Sequence, residues 1–365
     1  MSIINSIQAI QIIDSRGTPT VSCKVTLDNG ICATSMVPSG ASTGSREALE
    51  LRDGASTYKG KGVTKAVANI HEIIAPALVG MDVTNQQEID EKMLALDGTS
   101  SKSKLGANAI LGVSLAVLDA GSKTLELPLY QHINQVFANI NGEKPRMQMP
   151  TPMLNIINGG EHADNNIDIQ EFMIMPVGAN NFSQAMQWAT EIYSDLKNIL
   201  NAKGLSTSVG DEGGFAPNLQ SNQEAIELIL QAIRNNHLTE GKDVGIALDC
   251  AASEFYNNGI YNLQGESTKL NSSEFTNYLA ELTRQYPIFS IEDGMDESDF
   301  EGWKNLNKAL GDSCQLVGDD LFVTNVAELQ RGIDDSLANS ILIKFNQIGT
   351  ITAVSYTHLT LPTKA

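Results

Sequence analysis

The chain has 365 residues, 42% of them hydrophobic, with 43 acidic against 24 basic side chains and a net charge of −19. That is length for about two domains and apolar content for a large core. A surface this acidic repels phosphate backbones, which argues against direct nucleic-acid binding. The cysteines Cys23, Cys32, Cys250 and Cys314 form no C-x-x-C pair, so neither a thiolate zinc site nor a disulfide framework is expected. Met1 to Asp14 lacks the basic start and small-residue cleavage site of a signal peptide. The longest apolar stretch, 107–120, is interrupted by Ser114 and Asp119 and is too short to span a bilayer. The expectation is a cytoplasmic protein with reduced thiols and no membrane insertion.

The first part of the chain predicts strands before helices. Ile7 to Ile13 and Thr20 to Leu27 alternate as strands, and Asp28-Asn29-Gly30 supplies a turn into a third strand, Ile31 to Val37. Residues 38–44 (Pro-Ser-Gly-Ala-Ser-Thr-Gly) suit a mobile lid whose serines and backbone N–H groups close over an anion. A helix is predicted over Arg46 to Arg52, with Ser45 as N-cap and Gly54 beyond its end. Further helical patterns cover 63–78, 85–96 and 108–125, which together describe an α+β domain. The polar stretch Asn139 to Pro145 marks the boundary, giving domains 1–138 and 139–352.

The second part is more regular. Apolar runs at 152–157 and 172–176 precede amphipathic helices at 183–201 and 222–235. Four strand candidates then end in polar residues: Val244 to Asp249, Ile288 to Glu292, Gln315 to Asp319, and Ile341 to Lys344. The strand ends are 43, 27 and 25 residues apart, and each interval contains a helical pattern. Continuous apolar strands alternating with helices predict a parallel α/β barrel, whose C-terminal strand ends form the active face.

Asp249, Glu292 and Asp319 would therefore meet at one end of the barrel. Three carboxylates there repel one another and require a cation, and all-oxygen ligation suits Mg²⁺. A buried strand ending in Lys344 would bring a desolvated amine to the same rim, able to lose its proton near neutral pH. A lysine base beside a hard cation suits proton abstraction α to a carboxylate, with metal stabilisation of the enediolate. An acid is needed on the opposite face. Glu171, in Gln170-Glu171-Phe172, and Glu212, in the glycine-rich Gly210 to Pro217, are both candidates on sequence alone. His162, in Gly159-Gly160-Glu161-His162, lies on the first strand-end loop.

Taken in order, the segments Asp14 to Thr20, Pro38 to Gly44, Asn155 to His162, Gln170 to Met173, Gly210 to Pro217, Leu248 to Ala251, Ser290 to Asp293, Gly318 to Leu321 and Lys344 to Gly349 resemble the enolase family. Those enzymes dehydrate 2-phosphoglycerate to phosphoenolpyruvate. Residues 159–166 are similar to bacterial members. The resemblance implies an N-terminal α+β domain followed by an enolase-type β/α (TIM-like) barrel. It implies that Asp249, Glu292 and Asp319 bind a first Mg²⁺ and that Ser42 helps hold a second, which arrives with substrate. It implies Lys344 as the base at C2, Glu212 as the acid at the C3 hydroxyl with Glu171 supporting it, and His162 closing over the substrate. The substrate-binding set is then His162, Glu171, Glu292, Asp319, Lys344 and Ser42. Members of the family form homodimers or octamers of dimers. Some are displayed at the cell surface or secreted, where they capture plasminogen, and some join RNA-degradation assemblies. A non-catalytic binding role of that kind is one alternative. Another enolase-superfamily activity, such as a racemase, is a second, although those enzymes carry Lys-x-Lys where this chain has Gln170-Glu171-Phe172.

The resemblance runs from about Ile12 to Thr352. Beyond it the family supplies two more strands, a Ser-His-Arg-Ser segment and a later lysine that hold the substrate's phosphate and carboxylate. Here residues 353–365 alternate like a strand and resemble nothing in the family. The expectation is an unrelated tail, a barrel without its last two strands, an exposed sheet edge and little or no turnover by this chain.

Overall fold

The structure, a computed structural model, describes residues 2–40 and 44–360. The chain divides into two compact units. The first comprises Met1–Met147, Phe322–Gln330 and Ile343–Ala365, and the second Gln148–Leu321 and Arg331–Leu342.

The first unit opens on an antiparallel meander, β1 (Ile4–Ile13), β2 (Pro19–Leu27) and β3 (Cys32–Met36), in that spatial order. The Asn29-Gly30 turn forms as expected: Asn29 Oδ1 accepts from the Ile31 N–H at 3.0 Å, and Gly30 takes a positive φ of 85°. Val21, Cys23, Val25 and Leu27 of β2 are buried. They pack under α4 (Ala107–Thr124), which is apolar on nearly every face and correspondingly buried. Gly112 permits the close approach, since a Cβ there would stand 3.2 Å from Val37 Cγ2 and 3.4 Å from Cys23 Cβ. Around this core lie α1 (Thr64–Asn69), a π turn at Ile70–Ile74, α2 (Ala75–Leu78), α3 (Gln86–Asp97) and α5 (Leu129–Asn141). The sequence pattern did not bring out α5.

The helix expected over Arg46 to Arg52 does not form. Its backbone is engaged elsewhere within the unit. Leu49 N–H donates to Ser101 O at 2.7 Å, Leu51 N–H to Asn108 Oδ1 at 3.1 Å, and Leu49 O accepts from Ala107 N–H at 2.8 Å. Tertiary hydrogen bonds have displaced a local helical preference.

The tail also differs from its expectation. After the short helix α11 (Phe345–Ile348), the start of the tail forms part of α12 (Ile351–Thr360) instead of a strand, and α12 is docked in the first unit. Ile351 joins Leu118 and Val136 in an apolar cluster. Asp90 of α3, fully buried, anchors the start of α12. Its Oδ2 accepts from Thr352 Oγ1 at 2.7 Å and Thr352 N–H at 3.0 Å, while Gln86 Nε2 donates to its Oδ1 at 3.1 Å. A side chain from another helix thus satisfies an N–H in the first turn of α12.

The second unit holds a six-stranded sheet in the order β12-β11-β10-β6-β5-β4. Its strands are β4 (Leu154–Asn158), β5 (Glu171–Met175), β6 (Gly245–Asp249), β10 (Ile288–Glu292), β11 (Gln315–Gly318) and β12 (Ser340–Ile341). β6, β10, β11 and β12 are mutually parallel. β5 runs antiparallel to both neighbours, so the sheet is mixed rather than wholly parallel. Among the described residues it does not close. This is the TIM-barrel-type α/β arrangement expected, left open. Helices α6 (Phe182–Ala202), α7 (Asn222–Asn235), α8 (Ser272–Gln285), α9 (Phe300–Leu310) and α10 (Val326–Asp335) intervene between strands. Side-chain caps fix several starts: Ser221 accepts from Glu224 N–H at 3.2 Å, and Asn271 and Glu274 form a capping box on α8. A small ribbon, β7 (Tyr256–Asn257), β8 (Ile260–Leu263) and β9 (Thr268–Asn271), was not foreseen.

The Asp90 anchor gives a test. Replacing Asp90 with Ala takes the acceptor from the two buried Thr352 donors, while Gln86 Nε2 keeps its bonds to Ser114, so stability should fall by about 1–3 kcal/mol. Urea unfolding of the two proteins measures it, and an unchanged midpoint would mean that α12 is not held there.

Candidate active site

Sheet register places acids side by side. Glu171 pairs with Asp249 across β5 and β6, and Asp249 pairs with Glu292 across β6 and β10. Because β5 is antiparallel, Glu171 stands at its beginning, yet at the same end of the sheet as the strand ends of β6 and β10. A wholly parallel barrel would have put a residue at the start of a strand on the opposite face. Val317 continues the row on β11, and Asp319 follows it by two residues.

The tightest acidic group is Asp293, Asp319 and Asp320, whose carboxylate oxygens lie within 4.8 Å of one another. Asp293 braces the end of β11. Its Oδ1 accepts from Asp319 N–H at 3.0 Å and its Oδ2 from Asp320 N–H at 2.9 Å. Burial pushes the Asp293 carboxyl well above the usual range, and the charges of Asp319, Asp320 and Asp249 push it further in the same direction. Sequence reasoning named Asp319 but missed Asp293 and Asp320. Their signal was present in the doubled acids at the strand ends, Glu292-Asp293 and Asp319-Asp320.

Gln170 completes this end. Its Nε2 donates to Asp249 Oδ2 at 3.3 Å, and its buried Oε1 has no hydrogen-bond partner. A buried orphan acceptor beside clustered carboxylates suits a hard cation, which would satisfy that oxygen and offset the repulsion together. The donors present therefore fit a divalent ion of the Mg²⁺ type. Asp249, Glu292 and Asp319, the expected ligands, share this strand-end face with the closer trio. Ser42, expected to help hold a second ion, lies outside the described residues.

His162 and Glu171 meet beside the acids. His162 Nδ1 is 3.1 Å from Glu171 Oε1, within ion-pair distance. Burial of the imidazole disfavours its charged form. The Glu171 carboxylate outweighs burial, aided by Glu212 and Asp249, so the pKa is raised above the ordinary histidine value. The turn carrying Glu212 is tied to the same loop: Asp211 N–H donates to His162 O at 2.9 Å, and Gly214 N–H to Asn158 Oδ1 at 2.9 Å. Glycine is required at 210 and 214. A Cβ at Gly210 would stand 2.5 Å from His162 O, and one at Gly214 2.8 Å from Asn158 Oδ1. Glu212 itself is exposed at the tip.

Lys344 belongs to the first unit. The expectation of a desolvated amine at the end of a buried strand is not met. β12 is only Ser340–Ile341, and Lys344 follows it in extended backbone, exposed, immediately before α11. Its N–H donates to Thr324 Oγ1 at 2.9 Å. Two half-buried residues after a two-residue strand were too short a run to enclose the amine.

Comparison with known protein families matches residues 146–360 to the enolase C-terminal TIM barrel domain and residues 4–133 to the enolase N-terminal domain. The chain belongs to the enolase family. The enolase match continues past Thr352 into the segment that had been expected to be unrelated, and it includes α12.

The His162–Glu171 contact predicts a titration. With Glu171 replaced by Gln, burial is opposed only by the more distant carboxylates, so the His162 midpoint should drop. In the unsubstituted protein this pair stabilises the fold fully below the unfolded histidine value of about 6.5 and ceases to do so as pH rises through the folded value. NMR titration of the imidazole in both proteins checks this, and an unmoved midpoint would refute the coupling.

Proposed function

We propose that the protein is an enolase, a magnesium-dependent hydro-lyase that interconverts 2-phosphoglycerate and phosphoenolpyruvate. The observation that carries the reading is the register row of Glu171, Asp249 and Glu292. Asp319 follows the end of the next strand, and the His162 and Glu212 loops are bonded together beside the row. Bound Mg²⁺ would neutralise the negative charge that grows on the substrate carboxylate during proton removal.

Asp249, Glu292 and Asp319 are proposed to hold the ion, with Asp293 bracing the Asp319 backbone. Lys344, assigned on its motif Lys344 to Gly349, would take the C2 proton. Glu212 would give a proton to the departing C3 hydroxyl. Glu171 would keep His162 charged, so that the imidazolium can face an anionic substrate. Ser42 is proposed to help hold a second Mg²⁺ bound with the substrate. Members of the family act on small molecules and form oligomers, and we extend both properties to this chain, with a dimer as the proposed unit. No helix among the described residues is long and apolar enough to cross a membrane, and a cytoplasmic site of action is part of the proposal.

Conversion of 2-phosphoglycerate with Mg²⁺, followed by the absorbance of phosphoenolpyruvate, tests the reading; with the sheet open among the described residues, turnover by the purified chain is expected to be slow. Lys344→Ala and Glu212→Gln should each lower kcat by about 10²–10⁴. Undiminished turnover in Lys344→Ala would overturn its assignment as base.

Ion binding should depend on pH in a defined direction. A carboxyl whose pKa is raised holds its proton to higher pH, and a cation must displace that proton. Affinity for Mg²⁺ should therefore weaken as pH falls, with proton release on binding. Asp293→Asn should flatten this dependence, and Asp319→Asn should weaken binding at every pH. Calorimetry in buffers of different ionisation enthalpy measures both, and pH-independent binding would contradict the site.

A further inference from the structure

The turn that carries Glu212 is fixed on each side. Before Glu212, Asp211 N–H is bonded to His162 O at 2.9 Å. After it, Gly214 N–H is held by Asn158 Oδ1 at 2.9 Å, and Phe215 is tied to β4 through Ile156 O at 3.0 Å and Asn158 N–H at 2.9 Å. Gly213 lies between them at a φ of +84°, and nothing stands within 4 Å of where its Cβ would be. Its N–H donates to Gly210 O at 3.1 Å, closing the turn together with the bond from Gly210 N–H to Gly214 O at 2.8 Å, and it adjoins Glu212 directly.

One side chain from outside the loop reaches that point. Tyr193 projects from α6, and its hydroxyl donates to Gly213 O at 2.8 Å. Its ring lies flat on Phe215, with centroids 4.3 Å apart and planes inclined by 12°. Phe215 is buried, so the stack attaches the tyrosine to a residue that cannot move. Packing alone would need the ring but not the hydroxyl. The bond to Gly213 O adds an anchor from outside the turn to the residue that follows Glu212.

We infer that Tyr193 is a positioning residue for the Glu212 carboxyl, acting through Gly213 and Phe215. The inference rests on the proposed role of Glu212 as the acid at the C3 hydroxyl. A general acid works only within hydrogen-bond reach of the leaving oxygen, and small displacements of such a group lower the rate without changing the affinity for substrate. Tyr193 touches no reacting atom. Its effect is confined to the half of the reaction in which Glu212 transfers a proton. Removal of the C2 proton belongs to a different residue and is independent of it.

The two halves can be measured separately in the full chain with Mg²⁺ and 2-phosphoglycerate. Exchange of the C2 hydrogen with deuterium from solvent, followed by NMR, reads proton removal. Phosphoenolpyruvate formation reads loss of the hydroxyl. Tyr193→Phe keeps the ring on Phe215 and loses only the bond to Gly213. It should slow dehydration by about tenfold, the value of one neutral hydrogen bond, with KM and exchange within about twofold of the parent. Tyr193→Leu removes the stack as well and should widen the same split. If exchange and dehydration fall together, or if dehydration is unchanged in both variants, Tyr193 is a packing residue and the inference fails. A parent chain that catalyses no exchange would instead sink the underlying reading of the site.

Discussion

Like charge held at one end of an open sheet is the constraint on which the second unit depends. Two unit charges about 5 Å apart repel by about 3 kcal/mol at an effective dielectric of about 20. The strand ends gather Asp249, Glu292, Asp293, Asp319 and Asp320 on one face, and Asp293 is fully buried. A fold selected for stability alone would not assemble such a group. It persists because each carboxylate is placed by backbone that the apolar strands fix in turn. The strands β6 and β10 are buried along most of their length, and Asp293 is pinned by two main-chain N–H groups of the next strand end. The strain is stored where a cation can release it.

The same economy governs His162. Its imidazole is buried, which by itself would leave it neutral, and the adjacent Glu171 reverses that. One carboxylate at the start of an antiparallel strand therefore serves two neighbours: it stands in register with Asp249 and sets the charge of His162. Reversal of β5 is what makes this possible, because it brings the beginning of one strand to the ends of the others. The glycines at 210 and 214 then allow the Glu212 turn to press against the His162 loop at separations that no Cβ would tolerate.

Much of this was legible in the sequence because it followed from period and punctuation. The apolar runs ending in Asp249, Glu292 and Asp319 located three strands to within a residue or two, and the helices at 182–202 and 222–235 followed from their amphipathic spacing. What escaped was set by tertiary contacts. The stretch 46–52 has helical composition but surrenders its N–H groups to Ser101 and Asn108. Direction within the sheet leaves no mark on a five-residue apolar run, so β5 passed as parallel. Asp293 was hidden because its importance lies in which N–H groups it accepts from, and these belong to residues 26 and 27 positions away. The alternating pattern of 353–360 suggested a strand, but Asp90 and the Leu118–Val136 surface bind the segment as a helix.

Lys344 separates what motif and spacing each contribute. Spacing placed it at the end of the fourth apolar run and so implied burial, a depressed pKa and a base near neutral pH. In the structure the run is a two-residue strand and the amine is exposed. Burial therefore cannot be what prepares this lysine, and its assignment rests on the motif and on the chemistry required of it.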